Sequence, residues 1–421
     1  MIPKGFQLVR QARLSLVGLI LSLYTGCDLL SNSNIAVLWT ARPEMALYAE
    51  LFNSSQDRYR IEIEYKADPS KSLILEPSHP DLVVGDRLYS SAIMKMMTSL
   101  TPLFNNRLLR NQFYPELLKL GLKDKDQLIL PVSFNLPALM FNRDISINAI
   151  DSFVLTFEKI MEMSKSFSEL KKSRYPTMGF SPNWDKEFLY TATVLLGADY
   201  RETPQGHLAW DDIKLKEALD FIRQWVDKVN GGPKLEQEFT EKYLHDPGYK
   251  LIAGGRILFY FTDIRKLFTI SEEKRDGLDF RWIVEKDKTP VCEDILFAGI
   301  PKKSRHKEAA RAFLLWFFKP ETQKACLEAA QFKRIRTFGI AQGFSSLPIV
   351  NEREYPLYYP MLRGHIPPPE FLSFPKPLPI EWKKLKDVVL KPFLFDYVTN
   401  ISSDEKLETR LKNWLLQKPA L

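Results

Sequence analysis

Apolar and polar positions along this chain keep two rhythms that trade places. Ile35-Ala-Val-Leu-Trp39 is an apolar run of strand length that closes on Trp39-Thr40. From Pro43 to Phe52 the apolar positions Met45, Leu47, Tyr48, Leu51 and Phe52 recur at helical spacing, and a proline is tolerated at a helix start. Tyr59 to Tyr65 alternates strictly, which predicts a half-buried strand. Pro80-Asp-Leu-Val-Val-Gly-Asp86 reads as a buried strand with Gly-Asp at its tip. Strand, helix, strand, strand opens an α/β sheet, and in open α/β sheets ligands sit beyond the carboxyl ends of the strands. That rule puts Trp39, Thr40, Gly85 and Asp86 on one rim.

The central segment runs from Leu128 to Asp144. Two strand-length apolar runs, Leu128–Pro131 and Leu136–Phe141, flank Ser133, Phe134 and Asn135. Pro131 and Pro137 each remove a backbone donor, which favours an edge or a crossing between sheets over a central strand. An ordinary pair of buried strands fits the same pattern. Beyond it, Phe153 to Leu170 has helical spacing, and Thr177 to Trp184 reads as a short strand and an aromatic loop. A helix follows to Gly197, and a long one is capped by Trp210-Asp-Asp212, with Leu215, Ala218, Leu219, Ile222, Trp225 and Val226 on one face. A strand ends at Thr262-Asp263, and Phe280–Val284 and Asp294–Pro301 are further strands. His306–Phe318 and Glu321–Phe332 form a helix pair broken at Pro320, and residues 355–380 are proline-rich. Trp382–Leu390 and Asp404–Leu416 close the chain as helices.

The Leu128–Asp144 pattern resembles the first inter-lobe crossover of family 1 extracellular solute-binding proteins of ABC importers. The likeness extends more diffusely from about Ile35 to the C-terminus. It includes the Pro80–Asp86 strand, the Trp184 loop before a helix ending in Gly197, the Gly254-Gly-Arg-Ile-Leu-Phe-Tyr260 stretch, the return crossover at Asp294–Pro301 and the helix-Pro-helix pair. The proline-rich 355–380 stretch departs from the family as an insertion or strap. The resemblance implies a two-lobed α/β fold of the periplasmic-binding-protein type (type II), each lobe an open mixed sheet flanked by helices. One lobe would hold 35–138 plus 300–338, the other 139–299 plus 339–421. A small polar solute, a sugar or oligosaccharide first, would bind between them and pass to an ABC transporter permease. No cofactor or metal is implied, and the expected state is a monomer.

The first 26 residues change the picture of where such a protein works. Lys4, Arg10 and Arg13 precede an apolar core, Leu14–Leu23, too short to span a bilayer. Tyr24-Thr25-Gly26-Cys27 follows and resembles the lipobox of bacterial lipoproteins, with Tyr24 in place of the usual aliphatic residue. Residues 1–26 are therefore expected to be a lipoprotein signal peptide, Cys27 the lipidation site, and 27–34 a tether; a plain secretory signal is the other reading. Acyl chains on Cys27 would anchor the protein to a bacterial membrane on its extracytoplasmic side, each buried methylene contributing about 0.8 kcal/mol. Cys292 and Cys326 remain, paired or free.

The 421 residues carry a formal charge of +7. Three of the excess bases lie in the signal segment, leaving +4 elsewhere, too mild and dispersed for a dedicated nucleic-acid binder. There is no GxSxG, HExxH, P-loop or GxGxxG, so an enzyme is not expected. A solute binder needs aromatic faces and fixed polar groups. Trp39, Phe134, Trp184 and Tyr260 supply faces at strand ends or loops, and Asp86, Asn135, Asp263 and Arg265 supply polar groups. Each position suits a core residue as well as a ligand wall. Two other classes keep the same sequence: a surface lipoprotein that uses the fold as an adhesin or structural protein, and a cell-surface hydrolase.

Overall fold

Two open sheets carry the fold, and the chain passes between them three times. The structure, a computed structural model, describes residues 34–105, 107–146, 152–400 and 405–417. The expected signal peptide and Cys27 lie outside the described residues.

The first sheet is built from β1 (Ile35–Thr40), β2 (Arg60–Tyr65), β3 (Leu82–Gly85) and β4 (Ile129–Phe134). The second uses β5 (Pro137–Asn142), β6 (Val154–Thr156), β7 (Tyr260–Asp263) and β8 (Leu278–Val284). The return strand β9 (Leu296–Gly299) and the short β10 (Phe344–Ser345) rejoin the first sheet. Its order is β10-β4-β9-β3-β1-β2; the second runs β7-β5-β8-β6. β1 lies parallel to both β2 and β3, and β9 antiparallel to β3 and β4, so the first sheet is mixed. β3 lies between β1 and β9 and is buried along its whole length, in keeping with its unbroken apolar run.

The expected crossover is compressed into two residues. β4 ends at Phe134 in the first sheet and β5 begins at Pro137 in the second, with only Asn135 and Leu136 between. Pro137 opens β5 opposite Asp263, so its missing N–H falls at a strand end. The chain returns between β8 and β9. After β10 it leaves again, and Trp382, Leu385, Leu390, Phe393 and Leu394 pack into the second lobe's core. Sheet pairing thus puts 296–299 and 344–345 with the first lobe and 137–142 wholly with the second.

The segment from Phe153 departs from its expected all-helical form. Val154–Thr156 pairs in parallel with Trp282–Val284, and the helix starts at Phe157, where the Thr156 side chain accepts from Lys159 N. The open edge of the second sheet recruits the residues before the cap. The long helix Asp212–Val229 buries the predicted face entirely, and Asp211 caps it. Among the described residues, Cys292 and Cys326 are free thiols.

Candidate functional site

Strand tips from both sheets converge on one cavity of about 560 Å³, a size within the roughly 300–1,000 Å³ of small-molecule sites. The first lobe contributes Arg42 beyond β1, and Asp86 and Arg87 beyond β3. The second lobe gives Asp263 at the end of β7, Arg265 and Lys266 beyond it, and Glu187 from the helix Lys186–Leu195. Cys292, Glu293 and Asp294, just before β9, form a floor between the lobes, and Lys386 and Lys391 reach in from the helix over 382–398.

Ionic pairs hold this wall together. Asp294 bonds Arg265 at 2.9 Å, and Lys266 meets Asp263 at 3.2 Å. Asp263 also caps the helix Ile264–Thr269 by accepting from Lys266 N. The two oxygens of Glu187 each take one ammonium, Lys386 at 2.7 Å and Lys391 at 2.6 Å, and Lys386 also pairs with Glu293. Trp382 Nε1 donates to Glu293 at 3.3 Å. Arg87, in the left-handed region at φ 56°, pairs with Asp86 at 3.2 Å and Asp68 at 2.8 Å and donates to Ile380 O at 3.1 Å.

Burial acts against the charges on Glu187, Glu293 and Asp294, and the balance with their partners differs from one to the next. Burial raises the Glu187 carboxyl, but Lys386 and then Lys391 outweigh it and hold the group below its ordinary value. Burial likewise opposes the charge on Asp294, which Arg265 and then Arg42 pull below the usual carboxylate range. Glu293 goes the other way: enclosure dominates and keeps it above its ordinary value despite Lys386. Burial also pushes the Cys292 thiol well up, so it stays protonated.

A family model described as bacterial extracellular solute-binding protein matches residues 49–335. The chain belongs to that family. A search of curated proteins finds no match. Among solved structures, this solute-binding protein is similar to the sugar-binding protein MalE from Xanthomonas citri, at 12% identity, TM-score 0.66, and coverage of 92% of this chain and 100% of that one. It is also similar to an ABC substrate-binding protein from Listeria monocytogenes in complex with cycloalternan, at 16% identity, TM-score 0.60, and coverage of 91% and 97%. These likenesses show the fold: a mixed α/β protein of the two-lobed periplasmic kind, with open sheets flanked by helices. Family and neighbours are substrate-binding proteins, not enzymes.

Of the residues singled out in the sequence, the structure brings Asp86, Asp263 and Arg265 together on the cavity wall of this solute-binding protein. The other five lie elsewhere. Trp39 is buried in the first lobe, its indole donating to Glu64 at 2.6 Å while Lys66 sits over the ring. Phe134 packs edge-on against Tyr114 and Phe374 in the core. Asn135 lies behind the floor; its carbonyl accepts from Cys292 N and its amide donates to Gln342 O. Trp184 stacks on Phe239 at 5.6 Å inside the second lobe. Tyr260 is half-buried at the start of β7, beside Gly248.

The sequence reading missed Arg42, Glu187, Glu293, Asp294, Lys386 and Lys391. Glu293-Asp294 stands directly before an apolar strand at the crossover, the one signal that could have marked it. The lysines carry none, because a Lys-rich amphipathic helix ordinarily reads as a solvated face.

Proposed function

We propose that the protein is a lipid-anchored extracytoplasmic solute-binding protein that captures a sugar or oligosaccharide between its lobes and delivers it to an ABC-type permease. The observation that carries this reading is the cavity at the strand tips, to which both lobes and the floor between them contribute side chains. Family membership supports solute capture. Similar structures in complex with cycloalternan, mannotriose and mannobiose support a saccharide. Capture between lobes gives the permease a closed form to read, because only that form lets one ligand touch both halves. The anchor rests on Cys27 and the apolar segment before it. No helix among the described residues is long and apolar enough to cross a membrane.

The test is a thermal-shift screen of the chain from Cys27 onward against maltotriose, mannobiose, mannotriose, glucosamine, spermidine, amino acids and short peptides. A saccharide should raise Tm in a concentration-dependent way. Stabilisation by peptides or amino acids alone would sink the saccharide reading. For the anchor, full-length protein should partition with membranes and the Cys27→Ser form should not.

A further inference from the structure

The cavity departs from an aromatic sugar platform. Of its large aromatic lining residues, Tyr190, Phe261 and Trp382 are buried. Tyr190 and Trp382 pack on each other and on Tyr200, and the Lys386 ammonium covers the Tyr190 ring at 4.8 Å. Phe374 is half-buried and turned edge-on to Phe134. Tyr190, Phe261 and Trp382 are thus committed to the core, and Phe374 is the one half-buried ring on the wall.

The charged groups are ordered instead. In three pairs the carboxylate is the more exposed member and the cation lies behind it. Glu187 is 28% exposed against 10% for Lys386 and 19% for Lys391. Asp86 is 26% exposed against 10% for Arg87, and Asp294 30% against 23% for Arg265. The three carboxylates come from three parts of the chain: the first lobe, the second lobe and the floor. Asp294 adds a separate observation, since its Oδ1 is shut off from solvent and has no protein partner. Seven acids and seven bases line the cavity, so a neutral ligand leaves the charge balanced and a charged one does not. A surface of ionised acceptors backed by fixed cations asks for hydrogen-bond donors, and such charge-assisted bonds are roughly twice as strong as neutral ones.

We propose that the ligand is a neutral polyol held by its hydroxyl groups on three cation-backed carboxylates, Asp86, Glu187 and Asp294, and not stacked on an aromatic face. This rests on the saccharide reading above and names how that site selects its solute. Each carboxylate accepts from a hydroxyl, and its cation fixes it in direction. A solute with few donors leaves buried acceptors unpaired and is rejected.

The experiment is calorimetric titration of the saccharide that gives the largest thermal shift into the full mature protein and into Glu187→Gln, Asp294→Asn and Asp86→Asn. Each carboxamide keeps the shape and loses the charge, and each should weaken binding by about tenfold or more. Affinity should stay constant as salt rises from roughly 50 to roughly 500 mM, because no net charge is exchanged. Glu187→Gln leaves Lys386 and Lys391 short of a partner and could fail to fold; Asp86→Asn, at the more open end of its pair, then carries the test. Carboxamide variants that all bind within about twofold of the parent would overturn the proposal. So would loss of binding in Phe374→Leu with binding retained in the carboxamides. If only spermidine binds, with steep salt dependence, the neutral polyol and the saccharide reading both fall. If nothing in the panel binds, both fall together.

Discussion

Glu236 sits almost wholly out of solvent in the second lobe, accepting from Asn183 Nδ2 at 2.5 Å and from Asn230 Nδ2 at 2.6 Å. Burial pushes its carboxyl up from 4.5 to about 7, against the pull of those amides, and Asp227 adds to the rise. An acid whose folded pKa is raised binds its proton more tightly in the folded chain than in the unfolded one. Its contribution to stability is therefore full below 4.5, declines as pH climbs, and is lost above about 7. The loss is on the order of 3 kcal/mol across that window. Glu236→Gln should flatten the fall in stability between pH 4.5 and 7, read by chemical denaturation at a series of pH values. Its amide can be accommodated, since the Asn183 Oδ1 atom has no partner and a flip of that side chain lets it accept. An unchanged pH slope in the variant would show that Glu236 is ionised in the fold. At this scale the sequence exposes strand-tip chemistry and little else. Asp86 and Asp263 end strands whose apolar runs are plain. Trp39 ends one too, but its ring packs against Glu64 and Lys66 on the neighbouring strand, a pairing that depends on register.

Elements explain how the cations arrive. The helix over 382–398 opens into a π-turn at Lys386–Leu390, where Lys391 N bonds Lys386 O. Pro392 follows at once; it has no N–H and its ring crowds the carbonyl four residues back, which in a regular helix costs about 3 kcal/mol. Widening the turn relieves the clash. It also sets the site, because residues five apart in an α-helix lie about 140° apart around the axis at ~100° per residue. In the π-turn Lys386 and Lys391 instead come to one side, and both reach Glu187. Pro392→Ala restores the missing donor and should let the helix tighten, swinging Lys391 from Glu187. The expected result is a rise of the Glu187 pKa, followed by carboxyl NMR, and a several-fold weaker grip on saccharide with the fold intact. If neither moves, packing of Val389, Leu390 and Phe393 sets the π-turn, and the proline merely tolerates it. None of this was legible in the sequence. A helical period was visible at 382–390, yet a one-residue register change inside it arises from a proline and a core acting together. The crossover at 128–144 was legible through its resemblance to the solute-binding family, since proline, small polar and apolar residues in that order also fit an ordinary pair of buried strands.

For the whole molecule the question is what limits opening. The proline-rich segment is a third link beside the two strand crossovers. Leu372–Ser373 pairs in parallel with Thr289–Pro290, Phe374 packs on Phe134 of the first lobe, and Pro377 O accepts from Glu202 N of the second at 2.6 Å. The same Glu202 spans the gap with its side chain, where Oε2 accepts from Ser91 N of the first lobe at 3.0 Å. Ser91 N is otherwise a free donor at a helix start, so this carboxylate closes the lobes on a hydrogen bond that separation would break. A hydrogen bond to a charged group is worth about 1.5–3 kcal/mol, less where water reaches it. Removing it in Glu202→Ala should shift the lobes toward an open form without touching the cavity wall. Apparent affinity then falls by the lost closed fraction, by about three- to tenfold. The radius of gyration from small-angle scattering should grow in the free variant and return to the parent's value at saturating saccharide. An equal loss of affinity with no change in free size would place the effect in the site and not in the hinge. Full recovery of size on binding would identify Glu202 as a latch that ligand binding can replace, with the proline strap keeping the opened lobes in register.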